Sequence, residues 1–175
     1  MLDRKREFAS SDHLEIETMA LNIDAVWAQP VALTLSRSNV AIYDCGGIES
    51  VPEDSGVYVF ARAHGDLFSP IYIGRSTNLR SRLEQHLDTV SLMRQIQARP
   101  AGRRIFLYCE PFLHPGQQLA RVLNTLETAL ISHALSEGHE LLNVQGARRS
   151  SHKISFTGNR TSEAFAPRTM RVRAW

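Results

Sequence analysis

Two short apolar segments near the middle of the chain have the pattern of β-strands. Residues 57–61 (VYVFA) and 71–73 (IYI) consist largely of β-branched and aromatic residues, which favour extended structure. The segment between them is short and contains Gly65, so the two strands are predicted to form an antiparallel hairpin. Residues 103–109 (RRIFLYC) have the same character and predict a third strand.

Helical spacing of leucines follows the second strand. Gly74 ends that strand, and Ser76 is expected to cap a helix that continues to about residue 87. Leu79 and Leu83 lie four residues apart, so they should share the buried face of this helix.

Two more helices complete the predicted fold. One is expected over residues 88–98, and a long amphipathic helix over residues 117–137, where Gly138 stops it. The predicted fold is therefore α/β (more strictly α+β), with a small, mainly antiparallel three-stranded sheet flanked by helices.

The first 53 residues have a weaker pattern. Residues 7–24 contain five acids, no Lys or Arg and scattered apolar positions, which favours a helix. Residues 31–43 alternate weakly, which is compatible with a strand or a short helix. We therefore divide the chain into a helical or irregular N-terminal extension (1–53), a central domain (54–146) and a basic C-terminal extension (147–175).

Composition places the chain among ordinary soluble globular proteins. Of its 175 residues, 43% are hydrophobic and 22% charged. There is no apolar run of membrane-spanning length, and the N-terminus lacks the apolar core of a secretory signal, so no membrane partner and a cytoplasmic location are expected. With two cysteines, the chain cannot be a disulfide scaffold or a Cys-rich zinc module.

Positive charge is concentrated at the C-terminal end. From residue 144 onward there are seven basic residues and one acid, whereas the preceding residues carry thirteen basic and seventeen acidic groups. Such a tail indicates a polyanionic partner, although a merely solvated tail would have the same composition. We expect Arg148, Arg149 and Lys153 to contact nucleic acid.

Polar side chains of the central domain converge on one region. Tyr58 and Tyr72 should emerge on the same face of the hairpin. Asn78, Arg82 and His86 follow at four-residue intervals and form one stripe on the next helix. A guanidinium suits a phosphate and an imidazole can move a proton, but buried core tyrosines and a solvated helix face would give the same pattern.

Two further polar residues lie in apolar surroundings. Glu127 stands at the edge of the apolar stripe of the long helix, where its carboxylate needs a partner. A divalent cation such as Mg²⁺ would supply one, and so would an arginine. Asn143, within a Leu-Leu-Asn-Val sequence, is expected to hydrogen-bond backbone.

Together these residues resemble the GIY-YIG nuclease family, in the family's order and over about residues 54–146. Val57 stands where the family name has isoleucine, which is a neutral apolar exchange. The elements that carry the resemblance are Gly56-Val57-Tyr58, Tyr72-Ile73-Gly74, Asn78-Leu79, Arg82, His86, Glu127 in a Leu-Glu-Thr-Ala-Leu-Ile segment, and Asn143.

The resemblance implies a metal-dependent DNA endonuclease that needs no small-molecule cofactor. Glu127 would be the protein ligand of a single Mg²⁺ or Mn²⁺, and Tyr58 the general base. Arg82 would neutralise the scissile phosphate. The remaining roles are orientation of the water by His86 and Tyr72, and support of the site by Asn143.

The resemblance does not specify which residues contact the substrate or what the biological use of the enzyme is. Arg75, Asn78 and Arg80, and in addition Arg103 and Arg104, are expected to touch DNA without reading its sequence. One metal cuts one strand, so a double-strand break would need a homodimer or rebinding. We expect restriction-type or toxin-type use. The alternatives are a structure-selective repair or recombination nuclease and a non-catalytic nucleic-acid-binding module.

Overall fold

The computed structural model describes residues 22–37, 41–65, 67–145, 151–155 and 169–173. The helix expected over residues 7–24 lies almost entirely outside them, as do Arg148 and Arg149. Lys153 falls in a described strand, but its side chain is outside the description.

An antiparallel sheet of six strands forms the centre of the fold. Its order is β3-β2-β6-β4-β5, and β1 pairs with β6 beyond the end of β2. A separate hairpin pairs β7 with β8. The strands are β1 (Asp24–Trp27), β2 (Val31–Leu35), β3 (Tyr43–Asp44), β4 (Gly56–His64), β5 (Leu67–Ser76), β6 (Arg103–Phe112), β7 (Ser151–Ser155) and β8 (Thr169–Arg173).

Three α-helices lie in the described residues, close to where the leucine spacing predicts them. They are α1 (Leu79–Asp88), α2 (Val90–Gln97) and α3 (Leu119–Ser136). None of the helices in these segments is long and apolar enough to cross a lipid bilayer. The α+β class and the β4–β5 hairpin are confirmed.

The sheet is larger than predicted because the N-terminal region contributes strands to it. β1 and β2 both pair with β6, and β3 pairs with β2. Val31, Leu33 and Tyr43 are buried in the same core as the central domain. In the described part of this region, β1, β2 and β3 therefore join the sheet of the central domain, and residues Ile48–Ser50 form a short 3₁₀ helix.

Each face of the sheet carries its own apolar core. Alternation along β4 sends Phe60 toward α1 and α2, where it packs among the leucines of α1. Val57 and Val59 point the other way, toward Leu123 on α3. Each such buried side chain contributes roughly 1.5–3 kcal/mol of hydrophobic free energy.

A β-bulge changes the direction of one predicted side chain. The register between β4 and β5 shifts between Phe60 and Ala61, so Ile71 has no partner on β4. Simple alternation predicts that Ile71 and Ile73 share a face. Instead Ile71 lies with Tyr72 on the α1 face, and Ile73 packs on the α3 face.

Gly56, at the start of β4, permits a close approach of three elements. A Cβ at this position would lie 2.5 Å from the carbonyl oxygen of Cys109 on β6 and 2.7 Å from Cδ1 of Leu79 on α1. The glycine of the first predicted motif is thus explained by packing between β4, β6 and α1.

We expect Gly56→Ala to lower the free energy of unfolding by about 1–3 kcal/mol, because backbone atoms of β6 must move to admit the methyl group. Denaturant unfolding of the two proteins measures the change. Gly46→Ala is the matched control, because nothing lies within 4 Å of a Cβ there. Equal stability of Gly56→Ala and wild type would contradict the packing argument.

Candidate active site

The two predicted tyrosines lie side by side on the α1 face of the sheet. Tyr58 on β4 and Tyr72 on β5 have ring centroids 6.2 Å apart and nearly parallel planes. Gly74 lies opposite Tyr58 in the register of the hairpin. A Cβ on Gly74 would come within 2.5 Å of the Tyr58 hydroxyl oxygen, so this glycine lets the phenol extend across β5.

The Tyr58 hydroxyl ends at a buried imidazole. Its oxygen lies 2.7 Å from Nε2 of His86, which α1 presents toward the sheet. His86 exposes only 9% of its surface and packs against the rings of Phe60 and Tyr72. The stripe of Asn78, Arg82 and His86 is therefore not a solvated helix face at His86, and the imidazole belongs to the core.

Burial keeps both partners of this hydrogen bond neutral. Desolvation, reinforced by the positive charge of Arg82, lowers the pKa of His86 to about 4, so the imidazole is neutral at neutral pH. Desolvation also raises the pKa of Tyr58 above its usual range; Tyr72 and Glu127 add to this effect, and Arg82 opposes it. When the imidazole carries its proton on Nδ1, the phenol donates and Nε2 accepts; in the other tautomer Nε2 donates.

Arg82 and Glu127 meet in an open cleft at the end of β5. The helices that carry them, α1 and α3, pack on opposite faces of the sheet, but β5 is an edge strand and both side chains reach around it. The cleft has a volume of about 390 Å³ and is lined by Arg75, Ser76, Thr77, Arg82, Leu123 and Glu127.

Arg75 already pairs with one carboxylate oxygen of Glu127, the predicted metal ligand. Nε of Arg75, on β5, donates to Oε2 of Glu127 over 2.8 Å. The two side chains are 42% and 23% exposed, so water screens the pair. The arginine partner anticipated as an alternative for Glu127 is present, and Arg75 is engaged with a carboxylate where we expected a free phosphate contact.

Asn143 supports the edge strand next to the site. It lies in the 3₁₀ turn Leu142–Gln145, and its Nδ2 donates to the carbonyl oxygen of Ile73. The backbone hydrogen bond expected for this amide is thus present. Oδ1 of Asn143 is buried without a hydrogen-bond partner among the described residues.

Two of the residues predicted to contact DNA make structural hydrogen bonds. Asn78 caps α1, since its Oδ1 accepts from the Ser81 amide, and Ser76, expected to be the cap, is the last residue of β5. Arg80 donates to the carbonyls of Val51 and Glu49 and to the carboxylate of Glu53, so its guanidinium holds the 49–53 loop. Both side chains therefore position parts of the fold, and their contact with DNA stays a prediction.

Arg104 is likewise withdrawn from the solvent. It is 5% exposed, and its guanidinium donates to carbonyl oxygens at the end of α2 and in the turn that follows, including those of Ile96, Arg99 and Gly102. The carbonyls at the C-terminus of a helix attract a cation, which explains why the charge is tolerated there. Arg103 is exposed, as a phosphate contact requires.

A divalent cation is compatible with the chemistry of the cleft. Within the described segments there is no group of three or more His, Cys, Asp or Glu residues that could hold a metal ion. A cation held by Glu127 would therefore have to keep most of its water, as Mg²⁺ commonly does. Hard oxygen donors of Glu127 and Thr77 line the cleft, and the Arg75 pair takes only one carboxylate oxygen.

The sequence could have revealed some of these contacts but not others. Asparagine is among the best helix N-caps, so the sequence itself indicated Asn78 as the cap of α1. We had assigned that role to Ser76. The Arg75–Glu127 pair joins residues 52 positions apart, and no local sequence pattern predicts it.

The depressed pKa of His86 makes stability depend on pH. Because the folded value of about 4 lies below the ordinary 6.5, stabilisation by the neutral imidazole is present above pH 6.5 and is lost as the pH falls toward 4. We expect the free energy of unfolding to fall by on the order of 3 kcal/mol over this interval from His86 alone.

Urea unfolding at a series of pH values measures this slope. His86→Leu should flatten it, whereas the exposed neighbour change Gln85→Ala should leave it as in the wild type. An NMR titration that gives His86 a pKa near 6.5 in the folded protein would contradict the assignment of this imidazole as buried and neutral.

Comparison with known proteins adds no relationship to this geometry. The chain matches no protein-family model, and no significant match was found among curated proteins or solved structures. Function is therefore inferred from the residues of the site and from the sequence resemblance that they carry.

Proposed function

We propose that this protein is a metal-dependent endonuclease that hydrolyses DNA phosphodiester bonds. One observation carries the proposal: Arg82 and Glu127 line one cleft, and the charges of both act on Tyr58, whose phenol is hydrogen-bonded to His86. The three elements needed are a cation for the phosphate, a carboxylate for a metal ion and a route for a proton. They come from β4, α1 and α3 and converge at the edge of β5.

Arg82 is suited to bind the scissile phosphate. It lines the cleft and is partly buried, and its NH1 donates to Gln85 at 3.1 Å, not to a carboxylate. Since Arg82 has no acidic partner among the residues that the structure describes, its charge is free for an incoming phosphodiester, which a guanidinium can bind through two parallel hydrogen bonds.

Tyr58 and His86 form a route for the proton of the attacking water. As the phenol gives its proton to Nε2 of His86, its oxygen can take the proton of a water molecule. In the free protein the low pKa of His86 opposes this transfer, and Arg82 is one cause of that low value. A phosphate bound to Arg82 offsets its charge at His86, so the transfer becomes easier when substrate is present.

Access to the Tyr58 oxygen is restricted in the free protein. The residue is only 2% exposed, and the half-buried Tyr72 stacks beside it. Attack therefore requires the water to enter between the cleft and these two rings. Tyr72 is placed to orient that water, in keeping with its expected role.

Glu127 is the residue of the cleft that would hold Mg²⁺ or Mn²⁺. When bound, such an ion stabilises negative charge on the leaving 3′-oxygen. Asn143 contributes by fixing the Ile73 carbonyl, one residue before Gly74, and so holds the edge of β5 against which the Tyr58 phenol lies.

We expect Glu127→Gln to slow cleavage of supercoiled plasmid DNA about 100-fold or more in the presence of Mg²⁺, because the metal ligand is lost. EDTA should abolish cleavage by the wild type. Glu137→Gln, the same substitution at the exposed end of α3, should cleave normally.

Wild-type rates for Glu127→Gln would refute the site. Intact plasmid in every lane, together with retarded migration of DNA by the protein, would indicate the non-catalytic binding module instead. Sequencing the product ends would separate restriction-like specificity, which gives unique ends, from toxin-like or structure-selective cleavage.

The Arg75–Glu127 pair should compete with the metal ion. Arg75→Gln frees the carboxylate, so the Mg²⁺ concentration for half-maximal cleavage should fall about two- to five-fold, the range that a partly exposed ion pair accounts for. Cleavage rates over a Mg²⁺ series measure it. Arg121→Gln, on the exposed surface of α3, controls for simple loss of positive charge, and an unchanged or higher requirement in Arg75→Gln would argue against the competition.

A further inference from the structure

A second cavity opens at the other end of β5. It has a volume of about 190 Å³, which is room for several water molecules. Its walls come from three places that flank the edge strand: residues 69–71 of β5, residues 99–100 after α2, and residues 138–140 after α3. Arg62 reaches it from β4.

Arg62 is a cation of this cavity with no ionic partner among the described residues. Its Nε is buried and has no hydrogen-bond partner in the same part of the chain. Its stem runs over Gly102, where a Cβ would lie 2.7 Å from Cγ of Arg62. An unpaired buried donor on a charged group costs free energy, so an anion here would be stabilising.

The surroundings of Arg62 add positive charge. Arg104 stands directly opposite it on β6, and its guanidinium is bonded to backbone carbonyls. Arg99 also lines the cavity, and its one ionic partner among the described residues is Glu140, at 3.1 Å. The Glu140 side chain is 85% exposed, so this pair is weak and Arg99 is available to a stronger anion.

We propose that this cavity binds a phosphate group, with Arg62 as its principal ligand and Arg99 as the second. The planar guanidinium matches the geometry of phosphate oxygens, and a phosphate oxygen would satisfy the orphan Nε–H of Arg62. Polar and charged side chains converge on a space of suitable size, and none of them takes part in the proposed hydrolysis.

The position on β5 favours DNA as the source of that phosphate, an expectation that rests on the proposed function. Ser69 at the cavity and Ser76 at the cleft are seven residues apart on one strand, or about 23 Å. At about 3.4 Å per base pair, that distance corresponds to roughly seven base pairs of duplex. One duplex along the edge of β5 can therefore occupy the cleft and the cavity together.

Fluorescence anisotropy with a labelled 20-base-pair duplex tests whether DNA supplies the phosphate. EDTA is present so that the duplex is not cleaved during the measurement. We expect Arg62→Gln to weaken binding about five- to ten-fold and to reduce the slope of log affinity against log salt by about one. Arg94→Gln removes an exposed arginine of α2 that has no assigned contact, and it should change affinity less than two-fold. Arg62→Lys, which keeps the charge but not the fork, should recover part of the loss.

Inorganic phosphate tests the cavity itself. In an NMR titration, the Nε–H resonance of Arg62 should shift and saturate, and Arg99→Gln should weaken this response. If phosphate shifts Arg62 while Arg62→Gln leaves DNA affinity unchanged, the cavity is a site for free phosphate and the DNA source is wrong. If phosphate leaves the resonance unmoved and DNA affinity is unchanged, the whole proposal is wrong.

The two proposals fail in different ways. Wild-type protein that binds no DNA would refute the endonuclease, and the phosphate titration would still decide the cavity. Thermal unfolding of Arg62→Gln establishes that this variant is folded. If Arg62→Gln is not folded, the same anisotropy measurement is made on Arg99→Gln. A loss of DNA affinity in this variant supports the site, and unchanged affinity opposes it.

Discussion

The hydrogen bond between the Tyr58 hydroxyl and Nε2 of His86 joins the sheet to α1, and the candidate site is built around it. Both groups are buried, so neither can find water as a substitute partner. Burial also keeps the imidazole neutral and the phenol protonated. The contact that joins the sheet to α1 is thus made by two neutral groups.

The bond is possible because Gly74 leaves room for it. Any side chain at that position would collide with the Tyr58 phenol, which crosses β5 to reach His86. The two glycines of the sequence motifs therefore serve packing: Gly56 lets β4 approach β6 and α1, and Gly74 lets the phenol lie over the edge strand. The glycines and the tyrosines that follow or precede them form one steric arrangement.

The edge of β5 brings together side chains that the two faces of the sheet would otherwise separate. α1 and α3 bury their apolar faces in different cores, yet Arg82 and Glu127 share a cleft, because no further strand pairs with β5 in the described sheet. Asn143 occupies the middle of this edge, and the cavity of Arg62 lies at its far end. Arginines therefore border both ends of one strand, where an extended polyanion could contact them together.

The sequence by itself determined the β4–β5 hairpin, the positions of the three helices and the placement of both tyrosines on one face, because alternation and four-residue spacing are local properties of the chain. Tertiary structure alone decided that the N-terminal strands join the same sheet, that a bulge turns Ile71 toward α1, and that Glu127 pairs with Arg75. Arginines at positions 75, 80 and 104 look alike in sequence, but one meets a carboxylate, one holds a loop and one caps a helix end. What an ionic side chain does depends on which partners folding brings within hydrogen-bonding distance, and the partners of these three arginines lie up to 52 residues away along the chain.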